Sequence, residues 1–258
     1  MPKENLLIIG FTNSGKSALA NVICNNEHFD ENESEVRNSR DFQEYDIDLN
    51  GTIYHVVNIR VKLTEEEILC KIGQVIYSMP EGISQILFVV DQRLTADEIE
   101  ILSKIEDEIS NTKIGKHTTI VRTKFKDFKS KDVCKKDEED LRSLNRRIFY
   151  KNNLFKPNKP RMYIVHVDNP PTHIYVGNGD SDDDGTIKNN SRRREKSRTI
   201  LLEHLESVCS VKYKLNMWDK LYESNKSTNN LEERVKSLLE SYDPVVVNMI
   251  KKLTNSSN

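Results

Sequence analysis

Short apolar runs of strand length alternate along the chain with longer segments of helical period, beginning with Leu6–Ile9. This alternation predicts an α/β fold, with a mostly parallel sheet and helices on both faces. The strands read as Asn5–Gly10, Gln43–Leu49, Thr52–Val57, Ser84–Asp91, His117–Thr123 and Arg161–Val167. Asn50-Gly51 joins the second to the third and is the strongest short hairpin signal, so one antiparallel pair is expected at an edge of a six-stranded sheet. Helices fit between the strands at Lys16–Asn26, Thr64–Tyr77, Thr95–Ser110, Lys136–Asn152 and Lys196–Ser207. Thr64-Glu65-Glu66-Glu67 and Thr95-Ala96-Asp97-Glu98 each set a hydroxyl at the N-cap with an acid three residues on, which suits the orphan N–H groups and the dipole.

Periodicity gives way after Asn178 to Gly179-Asp180-Ser181-Asp182-Asp183-Asp184-Gly185, followed by Arg192-Arg193-Arg194. Residues 178–195 are therefore expected to form a mobile charged loop. Its acidic run lacks the twelfth-position Glu of a calcium loop, and the arginine triplet reads as a solvated charge run. Beyond Ser210 a second periodic segment, Leu231–Leu253, carries an apolar stripe broken at Pro244. The division expected is a main domain over 1–209 and a helical C-terminal extension over 210–258, its stripe packed on its own domain or, as the alternative, serving as a dimer or partner-binding helix.

Composition narrows the function only by exclusion. The 258 residues suit one sizeable core. Lys and Arg number 39 against 41 Asp and Glu, a net charge of -2 that marks no nucleic-acid partner. Cys24, Cys70, Cys134 and Cys209 form no CxxC pair, so neither a zinc site nor a disulfide framework is expected, and a cytoplasmic location with reduced thiols follows. The apolar run at the amino terminus is too short for a signal peptide or a membrane span, and the lipidation motifs are missing. Membrane contact is then peripheral if it occurs.

The chemistry is concentrated in Gly10-Phe11-Thr12-Asn13-Ser14-Gly15-Lys16-Ser17, which matches G-x-x-x-x-G-K-[ST] at every fixed position, after a strand and before a helix. Phosphate oxygens need several donors converging from one side. A glycine-permitted loop turns successive N–H groups inward, and the helix N-terminus adds positive potential. In this P-loop, Lys16 reaches the β and γ phosphates and Ser17 offers its hydroxyl to magnesium. The motif alone does not separate GTP from ATP.

Gly10–Ser17 together with Ala18-Leu19-Ala20-Asn21-Val22, Phe88-Val89-Val90, Arg93-Leu94-Thr95-Ala96-Asp97-Glu98 and Ile120-Val121-Arg122-Thr123-Lys124 resembles the AIG1 family of immunity-associated GTPases, from about Leu6 to about Leu205. The resemblance implies a three-layer P-loop NTPase fold, a septin-like G domain, with GTP or GDP and Mg²⁺ as ligands and self-association through the G domain. It places Gly10 to Ala18 on the phosphates. Ser39 takes the magnesium-contacting hydroxyl of switch I. Thr123, Lys124 and Asp127 fall in the base-recognition run, and Asn169 in the base-side loop Val167-Asp168-Asn169.

The chain departs from the family pattern at two places. Asn58 stands where the magnesium-associated aspartate of Asp-Thr-x-Gly belongs, and no glycine follows it. An amide brings no negative charge, so the surroundings of the metal are weakened. In Thr123-Lys124-Phe125-Lys126-Asp127, Lys126 replaces the first acid of the family's Thr-Arg-Lys-Asp-Asp run. No glutamine or arginine finger is assignable and the catalytic residue stays unknown, so GTP hydrolysis is expected to be slow or absent. Two rival readings are a pseudo-GTPase interaction scaffold and an ATP-directed P-loop enzyme.

Overall fold

The computed structural model describes residues 1–10, 13–31, 42–59, 79–91, 117–149, 163–173, 181–209 and 211–214. Its strands are β1 (Lys3–Gly10), β2 (Phe42–Leu49), β3 (Thr52–Ile59), β4 (Gln85–Asp91), β5 (Thr118–Thr123) and β6 (Tyr163–His166), and its helices are α1 (Lys16–Cys24), α2 (Lys131–Phe149) and α3 (Ser181–Val208). The strands form one sheet in the order β2-β3-β1-β4-β5-β6. Among the described strands β2 and β3 alone pair antiparallel; β1 pairs parallel with β3 and β4, and β5 with β4 and β6. This is the α/β architecture and edge hairpin that the sequence predicts. The helices expected at 64–77 and 95–110, and the tail from 215, lie outside the described residues.

At the hairpin Asn50 and Gly51 have φ of 55° and 83°, the positive pair that lets a two-residue turn follow the twist of its strands. Asp48 Oδ1 accepts the Gly51 N–H at 2.9 Å. The central strands are buried on both faces, as their unbroken Leu, Ile and Val runs require. On one face Leu6, Ile8, Val56, Leu87 and Val121 pack with Leu19 and Ile23 of α1 and Leu201 and Leu205 of α3. Burial on this helix-covered face pushes the thiols of Cys24 and Cys209 up to about 12, which leaves them unreactive.

Two helices begin earlier than the sequence reading. Helix α2 starts at Lys131 because Ser130 caps it, its Oγ accepting the Val133 N–H at 3.4 Å. Helix α3 occupies residues 181–208, so the expected charged loop is corrected to helix from Ser181 on. Composition misleads there because tertiary contacts, not apolar residues of its own, hold the first half. Arg193 pairs with Asp168, Arg194 with Glu31, and Asn190 Nδ2 donates to Pro171 O at 2.8 Å. The arginine triplet is correspondingly no freely solvated run.

After α3 the chain returns to the foot of β4, where Tyr213 and Ile83 exchange two backbone hydrogen bonds of 2.7 and 2.9 Å. Gly82 permits the approach, since a Cβ there would stand 2.6 Å from Tyr213 O. Residues 211–214 thus pack on the sheet although the sequence reading assigns them to the extension.

Candidate functional site

The loop between β1 and α1 leaves the carboxyl edge of the parallel strands, where ligands of such sheets bind. Gly10 has φ 155°, and a Cβ on it would lie 2.3 Å from the carbonyl oxygen of Val89, its neighbour across the β1–β4 ladder. No other residue fits. Asn13 and Gly15 follow with φ of 62° and 89°, both left-handed, and Gly15 precedes α1 directly. Left-handed residues on either side of Ser14 favour the concave run of N–H groups that suits an anion, next to the helix N-terminus. Phe11 and Thr12 lie outside the described residues.

Lys16 and Ser17 open α1, with Lys16 buried, and Ala18 follows in the same turn. Two residues of the base-recognition run reach across to the phosphate loop from the end of β5. Thr123 Oγ1 donates to Ser14 O at 2.5 Å, and Lys124 Nζ donates to Asn13 O at 2.7 Å and to Asp91 Oδ2 at 2.8 Å. Lys124 has φ 53°, which turns its side chain back over the loop. Asp91, at the carboxyl end of β4, is missed by the sequence reading; its position at that edge of a parallel strand is the signal that points to it.

Behind Asp91 and β5 lies a buried charge cluster. Arg122 donates to Asp91 O at 2.5 Å and grips Asp137 through two hydrogen bonds of 2.9 and 3.0 Å, while His166 Nε2 meets the same carboxylate at 2.8 Å. Burial works against the charge on Asp137, but the bonds from His166 and Arg122 outweigh it and hold the carboxyl below its ordinary range. Removing one partner would leave buried charge uncompensated, so the cluster fixes α2 against β5 and β6.

Asn58, at the end of β3, is fully buried, and its Nδ2 lies 3.4 Å from Ser17 Oγ. Asn58 and Ser17, which the sequence reading expects near one another, are thus neighbours. Among the described residues Asn58 Oδ1 is buried without a partner, as is Ser14 Oγ. Buried polar atoms are nearly always satisfied, and these two border the same loop.

These groups also test the fit for magnesium. Among the described residues no three His, Cys, Asp or Glu side chains group to hold a metal. One hydroxyl and one neutral amide oxygen suit an ion that keeps several waters and takes its anionic ligands from phosphate. The fit is that of a nucleotide-borne Mg²⁺. Ser39 lies outside the described residues.

Of the residues expected on the base side, Asp127 is exposed in the turn between β5 and α2, and Asn169 follows β6 with both amide atoms buried and, among the described residues, unpartnered. Asp168 is fastened to α3, its N–H donating to Ser197 Oγ at 3.1 Å and its carbonyl accepting from the same hydroxyl at 2.9 Å. Phe125 N donates to Val167 O at 3.1 Å, which holds the two base-side loops together.

A family model described as the AIG1 family matches residues 4–159. A search of curated protein sequences gives no match. Among solved structures the chain is similar to Toc33 from Arabidopsis thaliana in complex with GDP and Mg²⁺, at 14% identity over 77% of this chain and 86% of that one, with a TM-score of 0.46. It is similar also to a dimerization-deficient Toc33 mutant at 13% identity, with the same coverage and TM-score. A third is the GDP-bound RocCORdC fragment of Roco2 from Methanosarcina barkeri, at 12% identity over 99% of this chain and 67% of that one, with a TM-score of 0.42.

Proposed function

We propose, for a chain that belongs to the AIG1 family, that it binds GTP and GDP with Mg²⁺, hydrolyses GTP slowly, and couples its nucleotide state to self-association. Gly10 to Ala18 carry the phosphates, with Lys16 opposite the β and γ groups and Ser17 and Ser39 on the metal. Thr123, Lys124, Asp127 and Asn169 form the base side. The observation that carries this reading is the link from Lys124 to Asn13 O and Asp91. It ties the base-recognition run to the phosphate loop, as a site holding both ends of one nucleotide requires.

Ser17 and Ser39 would hold Mg²⁺, which would offset phosphate charge. The protein's part is to cradle the phosphates by backbone N–H groups, to hold Ser17 beside Asn58, and to exclude a rigid misalignment by anchoring the loop through Thr123. No helix among the described residues is long and apolar enough to cross a membrane, and the setting we propose is cytoplasmic with at most peripheral membrane contact.

A second reading, a pseudo-GTPase scaffold, is favoured by Asn58, whose neutral amide replaces a charge at the metal-facing position. Titration calorimetry with GTP, GDP and ATP, with and without Mg²⁺, separates the readings. Guanine preference with magnesium dependence supports the G protein. Binding without magnesium dependence or nucleotide-driven change in oligomeric mass supports the scaffold, and preference for ATP refutes guanine recognition. Lys16→Ala should abolish binding, and undiminished GTP affinity in that variant overturns the phosphate-site assignment.

A further inference from the structure

Arg193 projects from the first half of α3 between the two loops that border the base side. Its Nη2 donates to the backbone carbonyl of Lys126 at 2.8 Å. Its Nε donates to Asp168 Oδ2 at 2.6 Å, and Nη2 meets the same carboxylate oxygen. The guanidinium carbon also lies 5.5 Å from the centre of the Phe128 ring. Both side chains of the ion pair are largely buried, at 22% exposed for Arg193 and 12% for Asp168.

One planar cation therefore joins the turn after β5 to the loop after β6. In each loop its partner is the residue immediately before a base-side candidate: Lys126 precedes Asp127, and Asp168 precedes Asn169. The rigid fork of a guanidinium fixes the separation of two acceptors in a way that a single ammonium cannot. Asn169, whose amide donors and acceptor are unpartnered among the described residues, is thereby held at a set distance from the Asp127 turn.

We propose that Arg193 is a positioning residue for base recognition: it sets the gap between the Asp127 and Asn169 loops and so selects guanine over adenine without touching the nucleotide. This inference rests on the guanine-nucleotide reading above. It assigns a binding role to a segment whose charge pattern alone resembles a solvated run.

The test compares GDP and ADP affinities, by calorimetry with the full chain, for the wild type, Arg193→Ala and Arg193→Lys. Arg193→Ala should lower GDP affinity about tenfold, the effect of one lost charge-assisted hydrogen bond, while ADP affinity changes little, so that the GDP-to-ADP ratio collapses. Arg193→Lys keeps the charge toward Asp168 and should restore part of the ratio. A merely structural role would move both nucleotides together and the melting temperature with them. If Arg193→Ala does not fold, the direction of change in Arg193→Lys decides. An unchanged ratio in a folded variant that still binds GDP overturns the proposal and leaves the guanine-nucleotide reading standing. A wild-type chain with no preference for GDP over ADP overturns both.

Discussion

Replacing Asn58 by aspartate tests the most consequential departure in the site. The amide is fully buried, its Nδ2 makes only a long 3.4 Å contact to Ser17 Oγ, and its Oδ1 has no partner. A carboxylate there has acceptors only, so Ser17 becomes its donor and the second oxygen takes a bond from a metal-bound water. A neutral hydrogen bond contributes about 1 kcal/mol and a charge-assisted one about 1.5–3. The gain with metal and nucleotide is then about 1–2 kcal/mol, or roughly five- to thirtyfold in GTP affinity at saturating Mg²⁺. Without metal the sign reverses. An unpaired carboxylate at a fully buried position costs several kcal/mol or takes up a proton, so apo Asn58→Asp should melt below the wild type. The assay is GTP calorimetry across a magnesium series beside thermal melts in chelator. Equal magnesium dependence in the two proteins would refute the placement of Asn58 at the metal.

Two further outcomes follow from local geometry. Gly10→Ala brings a Cβ to 2.3 Å from Val89 O and 3.1 Å from Ser14 Oγ at a φ of 155°, so strain and overpacking together should cost about 2–5 kcal/mol in a denaturant melt; a loss below about 0.5 kcal/mol would contradict the close approach of β1 and β4. His204 is packed against Thr119, its Nε2 2.8 Å from the Oγ1 that also accepts from Gln85, and burial lowers its pKa. Its stabilising share is complete above the unfolded value near pH 6.5 and is lost as pH falls through the folded value. The wild type should therefore lose more stability than His204→Gln between about pH 7 and pH 5.5, whereas Asp137, also held low, acts only in more acid solution. Parallel pH–stability curves for the two proteins would show that His204 is not constrained to its neutral form.

The sheet was legible because its signals are local. Unbroken Val, Ile and Leu runs mark strands buried on both faces, and Asn50-Gly51 forces the hairpin. The phosphate loop was legible for the same reason, since Gly10, Gly15 and Lys16 answer to backbone geometry within one turn. What escaped was long-range. Ser130 as a cap sits in a lysine-rich stretch with little apolar period, and α3 from Ser181 is held by Arg193 and Arg194 reaching Asp168 and Glu31, partners that no window of sequence brings together. Lys124 was placed on the base side from its motif, but its bond to Asn13 O required the fold to be seen.

The contacts around the nucleotide site are unevenly distributed, and the imbalance bears on switching. The phosphate loop is fixed from three directions: by the β1–β4 ladder at Gly10, by Thr123 at Ser14, and by Lys124 at Asn13. Each of these bonds is made within the protein and to backbone, which favours a preorganised cradle that little ordering entropy opposes. At the side of Ser17 that faces Asn58, the contact among the described residues is one long amide-to-hydroxyl bond, and the side chain at position 58 brings no carboxylate. A ligand moves a conformational equilibrium only by its differential affinity for the two states. With the charge at position 58 missing, GTP and GDP should differ little in affinity, by less than about tenfold, and a larger gap would require a γ-phosphate sensor outside Asn58. Comparing GTP and GDP affinities in wild type and Asn58→Asp reads that gap directly: it should widen when the carboxylate is restored, and a gap that stays constant would place the sensor elsewhere.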